Sequence, residues 1–128
     1  MKKHLLMVDD EANIRDLLAQ FFIASGYRVT SVASAAEAMD IARHERPDLL
    51  ISDLQLEDSD GLEMIARFKS LHPGMPVILL TGVLFDPEVV NGVLSTKVDC
   101  YLEKTSSLAR ILETVRRLLG RPSETGAT

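Results

Sequence analysis

Short apolar segments alternate with amphipathic helical patterns along the chain, and this alternation limits the fold more than any other feature. Four of these segments have four or five mostly apolar residues, the length of a buried strand, and one, Tyr27–Val32, alternates with period two, as a strand at a sheet edge would. A segment with helical spacing follows each of them. Such alternation predicts parallel strands, right-handed crossovers and helices on both faces of the sheet. We therefore predict an α/β fold, a doubly wound (βα)5 arrangement of three layers with a parallel five-stranded sheet. Its strands are Leu5–Val8, Tyr27–Val32, Leu49–Ser52, Pro76–Leu80 and Val98–Leu102.

Local signals mark the ends of the helices. Ser34 and Glu37 form a capping box at the start of the second helix. Asp86 is expected to cap a fourth helix, and Ser106 or Ser107 the last one. The first helix is expected to end at Gly26 and to bury one apolar face, which consists of Ile14, Leu17, Leu18, Phe21 and Phe22.

Composition excludes several classes of protein. The 128 residues suit one domain, and the formal net charge of −5 without a basic stripe argues against direct nucleic-acid binding. No apolar stretch approaches the roughly 18 residues of a membrane span. A lone cysteine, Cys100, favours a reducing, cytoplasmic setting. The three histidines lack ligand spacing and are predicted to lie on the surface; they are His4, His44 and His72.

Four of the five predicted strands end in polar side chains that can carry chemistry. They supply Asp9 and Asp10, Asp53, Thr81 and Lys104. Any one of these is explained by the polar loop that follows a strand. As a set, they bring three carboxylates, a hydroxyl and an ammonium to the carboxyl edge of one sheet, where open α/β proteins bind ligands.

The charges of this set indicate what it binds. Two carboxylates ~4 Å apart repel each other by about 4 kcal/mol at an effective dielectric constant of ~20. One ammonium cannot neutralise three acids, so the set favours a cation, and hard oxygen ligands without histidine or cysteine favour Mg²⁺ over zinc or copper. An acidic Mg²⁺ pocket beside a lysine and a hydroxyl is suited to receive a phosphoryl group.

At residues 4 to 119, the chain resembles the receiver domain of bacterial two-component response regulators. Four motifs carry the resemblance: Val8-Asp9-Asp10-Glu11, then Asp53-Leu54 followed by Asp60-Gly61, then Thr81-Gly82, and finally Tyr101-Leu102-Glu103-Lys104. The resemblance implies a flavodoxin-like fold with strand order 2-1-3-4-5. It also implies a receiver domain over residues 1–120, with residues 121–128 as a disordered tail or the start of a linker.

The resemblance also assigns roles. Asp53 would be the phosphoacceptor, modified by a sensor histidine kinase or a phosphotransfer protein. Asp10, Asp53 and the backbone carbonyl of Gln55 would bind Mg²⁺, with Mn²⁺ as an alternative ion, and Asp9 would contribute mainly through water. Such a domain is not a conventional enzyme, because it catalyses only its own phosphorylation and dephosphorylation.

Thr81 and Lys104 would each contact a phosphoryl oxygen, and Tyr101 would move inward as Thr81 is drawn to the phosphoryl group. The resulting switch would act on the face formed by the predicted fourth helix, the fifth strand and the last helix. That face would signal to an output domain or partner protein, and phosphorylation could also produce a homodimer. By analogy, Gln55 and Val83 would tune the lifetime of the phosphoryl group.

Two positions depart from the family pattern. Family members usually have a proline four residues after the phosphoacceptor, and Glu57 occupies that position here. They also usually have a proline directly after the lysine, where this chain has Thr105. Since a non-proline cis peptide costs about 3 kcal/mol, the Lys104–Thr105 bond is expected to be trans.

Two other functions fit part of the pattern. Haloacid-dehalogenase phosphatases also combine aspartate, threonine or serine, lysine and Mg²⁺, but they expect Asp-x-Asp at the first strand, where this chain has Asp9-Asp10-Glu11. A degenerate receiver used only as an interaction module is the other alternative, which the complete acidic set argues against.

Overall fold

A computed structural model describes residues 2–53, 61–81 and 98–120 of the chain. The predicted helix that begins at Asp86 and the tail at 121–128 lie outside the described residues. The described elements are, in order, β1 (His4–Val8), α1 (Ala12–Ala24), β2 (Arg28–Val32), α2 (Ala35–His44), β3 (Leu49–Ser52), α3 (Gly61–Leu71), β4 (Val77–Thr81), β5 (Cys100–Glu103) and the last helix (Leu108–Leu119). None of the helices in these ranges has the length and apolar composition of a membrane span.

The five strands form one parallel sheet in the order β2-β1-β3-β4-β5, which confirms the predicted topology. The chain moves outward from β1 to β2 and then returns to place β3 on the other side of β1. This reversal opens a crevice beyond the carboxyl ends of β1 and β3. Val8 pairs with Ser52, so the two residues that follow them, Asp9 and Asp53, leave the sheet side by side.

Alternate residues of the central strands point into two separate hydrophobic cores. Leu5 and Met7 pack against α1 and the last helix, whereas Leu6 and Val8 pack against α2 and α3. All five residues of β1 are buried, as are all four of β3. This burial on both faces explains why these strands appear in the sequence as continuous apolar runs rather than as alternating patterns.

The helix signals are confirmed where they can be compared. Ser34 Oγ accepts a hydrogen bond from the backbone N–H of Glu37 at 3.2 Å, and Ser107 caps the last helix in the same way. Gly26 follows α1 with a φ of 102°, a conformation that favours glycine. The predicted buried face of α1 is wrong at Leu17, which is 55% exposed. The buried stripe runs through Leu18 and Phe22, so this face is narrower than the apolar spacing suggests.

His4 is not on the surface, so that prediction is also wrong. As the first residue of β1 it is only 4% exposed, and its Nε2 lies 2.8 Å from Thr30 Oγ1. Its Nδ1 is 3.1 Å from the Arg28 guanidinium and 3.0 Å from Glu45. Burial lowers the pKa of His4, Arg28 lowers it further, and Asp48 opposes the shift. The surface prediction holds for His44, while His72 is half-buried, with Nε2 3.1 Å from the carbonyl oxygen of Ala42.

Candidate functional site

Three carboxylates meet beyond the carboxyl ends of β1 and β3. One oxygen from each of Asp9, Asp10 and Asp53 lies within 4.8 Å of the other two. The sheet fixes two of these residues, because Asp9 N–H donates to Val32 O and Asp53 N–H donates to Val8 O, both at 3.1 Å. Asp9 and Asp53 are 3% and 7% exposed, whereas Asp10 is exposed. The cleft therefore holds two buried acids with a third at its mouth.

Lys104 reaches into this cluster from the end of β5. Its ammonium lies 2.9 Å from Asp9 Oδ2 and 3.0 Å from Asp53 Oδ2, and its side chain is 5% exposed. It also donates to Glu11 Oε1 at 2.7 Å. Burial alone lowers the pKa of Lys104, but the hydrogen bonds to Glu11, Asp9 and Asp53 outweigh that effect and raise it above its ordinary value. Lys104 is therefore a permanent positive charge in the cleft.

The charge of Asp9 is poorly accommodated even with this lysine beside it. Burial raises the pKa of Asp9, and the negative charge of Asp53 raises it further. The backbone N–H of Glu11, 2.9 Å from Asp9 Oδ1, and the Lys104 ammonium oppose the shift without reversing it. The fold thus makes the charged form of Asp9 less favourable than it is in water, and a cation next to the carboxylate would offset part of this cost.

Two side chains donate hydrogen bonds to the backbone carbonyl oxygens of the buried acids, Asp9 and Asp53. Arg15 Nη1 donates to the carbonyl oxygen of Asp9 at 2.7 Å, and Ser52 Oγ donates to that of Asp53 at 2.9 Å. The roles of Arg15 and Ser52 and the contact of Glu11 with Lys104 were not predicted from the sequence. Glu11 has the most visible signal, because a third consecutive acid at a strand end is well placed to meet the lysine.

The remaining predicted site residues are placed only in part. Thr81 ends β4, with its backbone paired to Glu103, so it lies at the same edge of the sheet as Lys104. Tyr101 is half-buried on β5 and packs against the α2–α3 core, and burial together with the charge of Glu103 raises its pKa. Gln55, Glu57, Asp60 and Val83 lie outside the described residues.

Thr105 does not disturb the placement of the lysine. No cis peptide occurs in the described part of the chain, so the Lys104–Thr105 bond is trans as predicted. Lys104 nevertheless reaches both buried acids.

The carboxylates suit a hard divalent cation. Mg²⁺ prefers oxygen ligands at about 2.0–2.1 Å in an octahedron, where opposite ligands lie about 4.2 Å apart. The spacing within 4.8 Å in the cluster requires little rearrangement to match that geometry. The residues present therefore fit Mg²⁺, and a cation would relieve the repulsion between Asp9 and Asp53.

Comparisons with known proteins agree with this geometry. The family model of the response regulator receiver domain matches residues 5–116. The probable transcriptional regulatory protein TcrX of Mycobacterium tuberculosis is 32% identical over 124 residues, which cover 97% of this chain and 51% of TcrX. The chain spans about half or less of the length of the curated relatives it matches first.

Two solved structures are similar over most of the chain. A CheY-like response regulator receiver domain protein from Methanospirillum hungatei has 29% identity and a TM-score of 0.86, with 98% of this chain and 99% of that chain covered. The response regulator TrrA from Thermotoga maritima, solved in complex with Mg²⁺ and BeF, has 29% identity and a TM-score of 0.82. The match covers 91% of this chain and 99% of that chain.

Proposed function

The chain belongs to the response regulator receiver domain family, whose members act in two-component signalling, and from this membership we propose that Asp53 is its phosphoacceptor. One observation carries the proposal: Asp53 lies in a carboxylate cluster and has a lysine ammonium 3.0 Å from its Oδ2. Because Asp53 follows β3, a covalent change there acts at the carboxyl edge of the sheet.

In the proposed reaction, a carboxylate oxygen of Asp53 attacks the phosphorus of a phosphohistidine on a sensor kinase or phosphotransfer protein. A P–O bond to Asp53 forms as the P–N bond breaks, and the imidazole nitrogen keeps the electron pair and takes up a proton. Lys104 is already beside Asp53 and would neutralise part of the charge on the transferred group. Thr81 would contribute a second contact to a phosphoryl oxygen.

Mg²⁺ would be held by Asp10, Asp53 and the backbone carbonyl of Gln55, and Asp9 would contribute mainly through water; Mn²⁺ is the alternative ion. When bound, the ion would supply positive charge next to the phosphoryl oxygens. The protein's own contribution is to hold the acids close together before the ion arrives, which the backbone hydrogen bonds of Asp9 and Asp53 accomplish.

The phosphoryl group would add about two negative charges at the end of β3 and bias a two-state element nearby. We propose that Thr81 and Tyr101 transmit this change to the face formed by β5, the last helix and the predicted fourth helix. The partner of that face would be an output domain or a separate protein in the cytoplasm, or a second copy of the chain. Residues 1–120 would form the receiver, followed by a tail or linker.

The test is incubation of the purified protein with acetyl phosphate and Mg²⁺, followed by intact-mass measurement. We expect the mass of one added phosphoryl group, which alkali removes, and no addition in Asp53→Asn or in the presence of EDTA. An unchanged wild-type mass would contradict the proposal. Addition that persists in Asp53→Asn would place the acceptor elsewhere.

A further inference from the structure

Glu11 has no role in the function proposed above, yet it makes the shortest contact with Lys104. The distance from Lys104 Nζ to Glu11 Oε1 is 2.7 Å, against 2.9 Å to Asp9 and 3.0 Å to Asp53. Glu11 occupies the position before α1, but its side chain makes no capping hydrogen bond there. Its carboxylate is thus committed to Lys104 rather than to the helix.

We infer that Glu11 is a positioning residue that holds Lys104 in the unphosphorylated protein and must release it before a phosphoryl oxygen can take its place. This inference rests on the proposed function of Asp53 and Lys104. Glu11 would then lower the rate of phosphorylation, and it would do so by holding the lysine.

The donor capacity of the lysine supports this inference. An ammonium has three N–H donors, and Lys104 already donates hydrogen bonds to three carboxylates. A phosphoryl oxygen can therefore be bound only if one of these contacts is given up. Asp9 and Asp53 are buried, while the Glu11 side chain is 57% exposed. While Asp53 still carries its own charge, before the transfer, the Glu11 contact is the one that costs least to exchange, because water replaces a lost partner best at an exposed carboxylate.

The experiment compares phosphorylation rates with acetyl phosphate at saturating Mg²⁺. Glu11→Gln should be phosphorylated about two- to five-fold faster than the wild type, the range set by the weak free energy of an exposed ion pair. Glu103→Gln is the matched control, because Glu103 is also exposed and immediately precedes the lysine, but accepts a hydrogen bond from Thr105. The control should leave the rate unchanged.

A double-mutant cycle shows whether Glu11 acts through the lysine. In a Lys104→Ala background, Glu11→Gln should no longer raise the rate, since there is no ammonium to release. If Glu11→Gln raised the rate equally with and without Lys104, or if Glu103→Gln raised it as much, the inference would be overturned. Either result would mean that an acidic side chain near the site slows the reaction only by repelling the negatively charged acetyl phosphate. A Glu11→Gln rate no higher than that of the wild type would also overturn it.

The same assay separates this inference from the proposed function. If the wild type takes up no phosphoryl group, the proposed role of Asp53 fails. If the wild type is phosphorylated on Asp53 and Glu11→Gln is not faster, only the role of Glu11 fails.

Discussion

Replacing Asp9 by asparagine should stabilise the metal-free domain, although it removes a partner of the buried Lys104. One oxygen of Asp9 lies within 4.8 Å of oxygens of Asp10 and Asp53, and each such repulsion amounts to about 3.5 kcal/mol or more at an effective dielectric constant of ~20. Water screens the Asp10 term further, because Asp10 is exposed. The Lys104 ammonium, 2.9 Å away, contributes an attraction of about 6 kcal/mol on the same scale. Attraction and repulsion therefore nearly cancel.

The cost of burying the Asp9 carboxylate then decides whether Asp9→Asn raises or lowers the free energy of unfolding. Asp9 is 3% exposed, and removing a carboxylate from water costs several kcal/mol, which is why its pKa is raised. Asparagine keeps the oxygen that accepts the hydrogen bond from the Glu11 N–H, so the exchange removes the charge with little structural loss. We expect a gain in the free energy of unfolding on the order of 1 kcal/mol.

Urea unfolding followed by circular dichroism measures this change in EDTA and in saturating Mg²⁺. The wild type should gain about 2.7 kcal/mol at an ion concentration of about 100 times its dissociation constant, and Asp9→Asn should gain less. Asp16→Asn, at an exposed position on α1, is the control and should behave like the wild type. A lower unfolding midpoint for Asp9→Asn in EDTA would contradict this prediction, because it would mean that the ion pair with Lys104 outweighs the repulsion and the cost of burial.

Three further predictions use the same structure. Lys104→Met should leave two buried carboxylates without their cation, so in EDTA it should lower the unfolding free energy by about 3 kcal/mol, with part of the loss recovered in Mg²⁺; an unchanged midpoint would contradict this. The folded state holds the pKa of His4 below its ordinary value of 6.5 through burial and the charge of Arg28, so the stability that depends on neutral His4 should be lost as the pH falls below 6.5. The wild-type melting temperature should then drop more on acidification than that of His4→Gln, and a smaller drop would mean that the Glu45 carboxylate governs His4 instead. Ser34→Ala should cost about 1 kcal/mol by removing the cap of α2, whereas Ser70→Ala, inside α3 at an exposed position, should change stability little in the same urea titration.

The strands and helices could be predicted because each has a local physical cause. Continuous apolar runs at β1 and β3 follow from burial on both faces, and the capping box at Ser34 is a short-range hydrogen-bond pattern. The strand order was implied by family resemblance and not by these local signals. Leu17 could not be predicted correctly, because helical spacing shows which residues share the apolar face of α1 but not how much of that face the neighbouring elements cover.

The site could be predicted as a set of strand ends, but its connections could not. Parallel topology is sufficient to bring Asp9, Asp10, Asp53 and Lys104 together, and the structure does so. Glu11 and Lys104 are 93 positions apart in the sequence, so the third acid at the end of β1 marks Glu11 as a candidate partner but does not show that it contacts the lysine. The burial of His4 was missed for a similar reason, because a histidine at a strand end gives no sequence signal of what packs on it.

Chemical mapping of the phosphoryl group shows whether Asp53 is the phosphoacceptor. Borohydride reduces an aspartyl phosphate to homoserine, so the protein is treated with acetyl phosphate and Mg²⁺, reduced, digested and sequenced by tandem mass spectrometry. We expect homoserine at position 53 and unmodified aspartate at positions 9 and 10. Homoserine at Asp9 or Asp10, or none at any of the three positions in a sample whose intact mass shows phosphorylation, would contradict it.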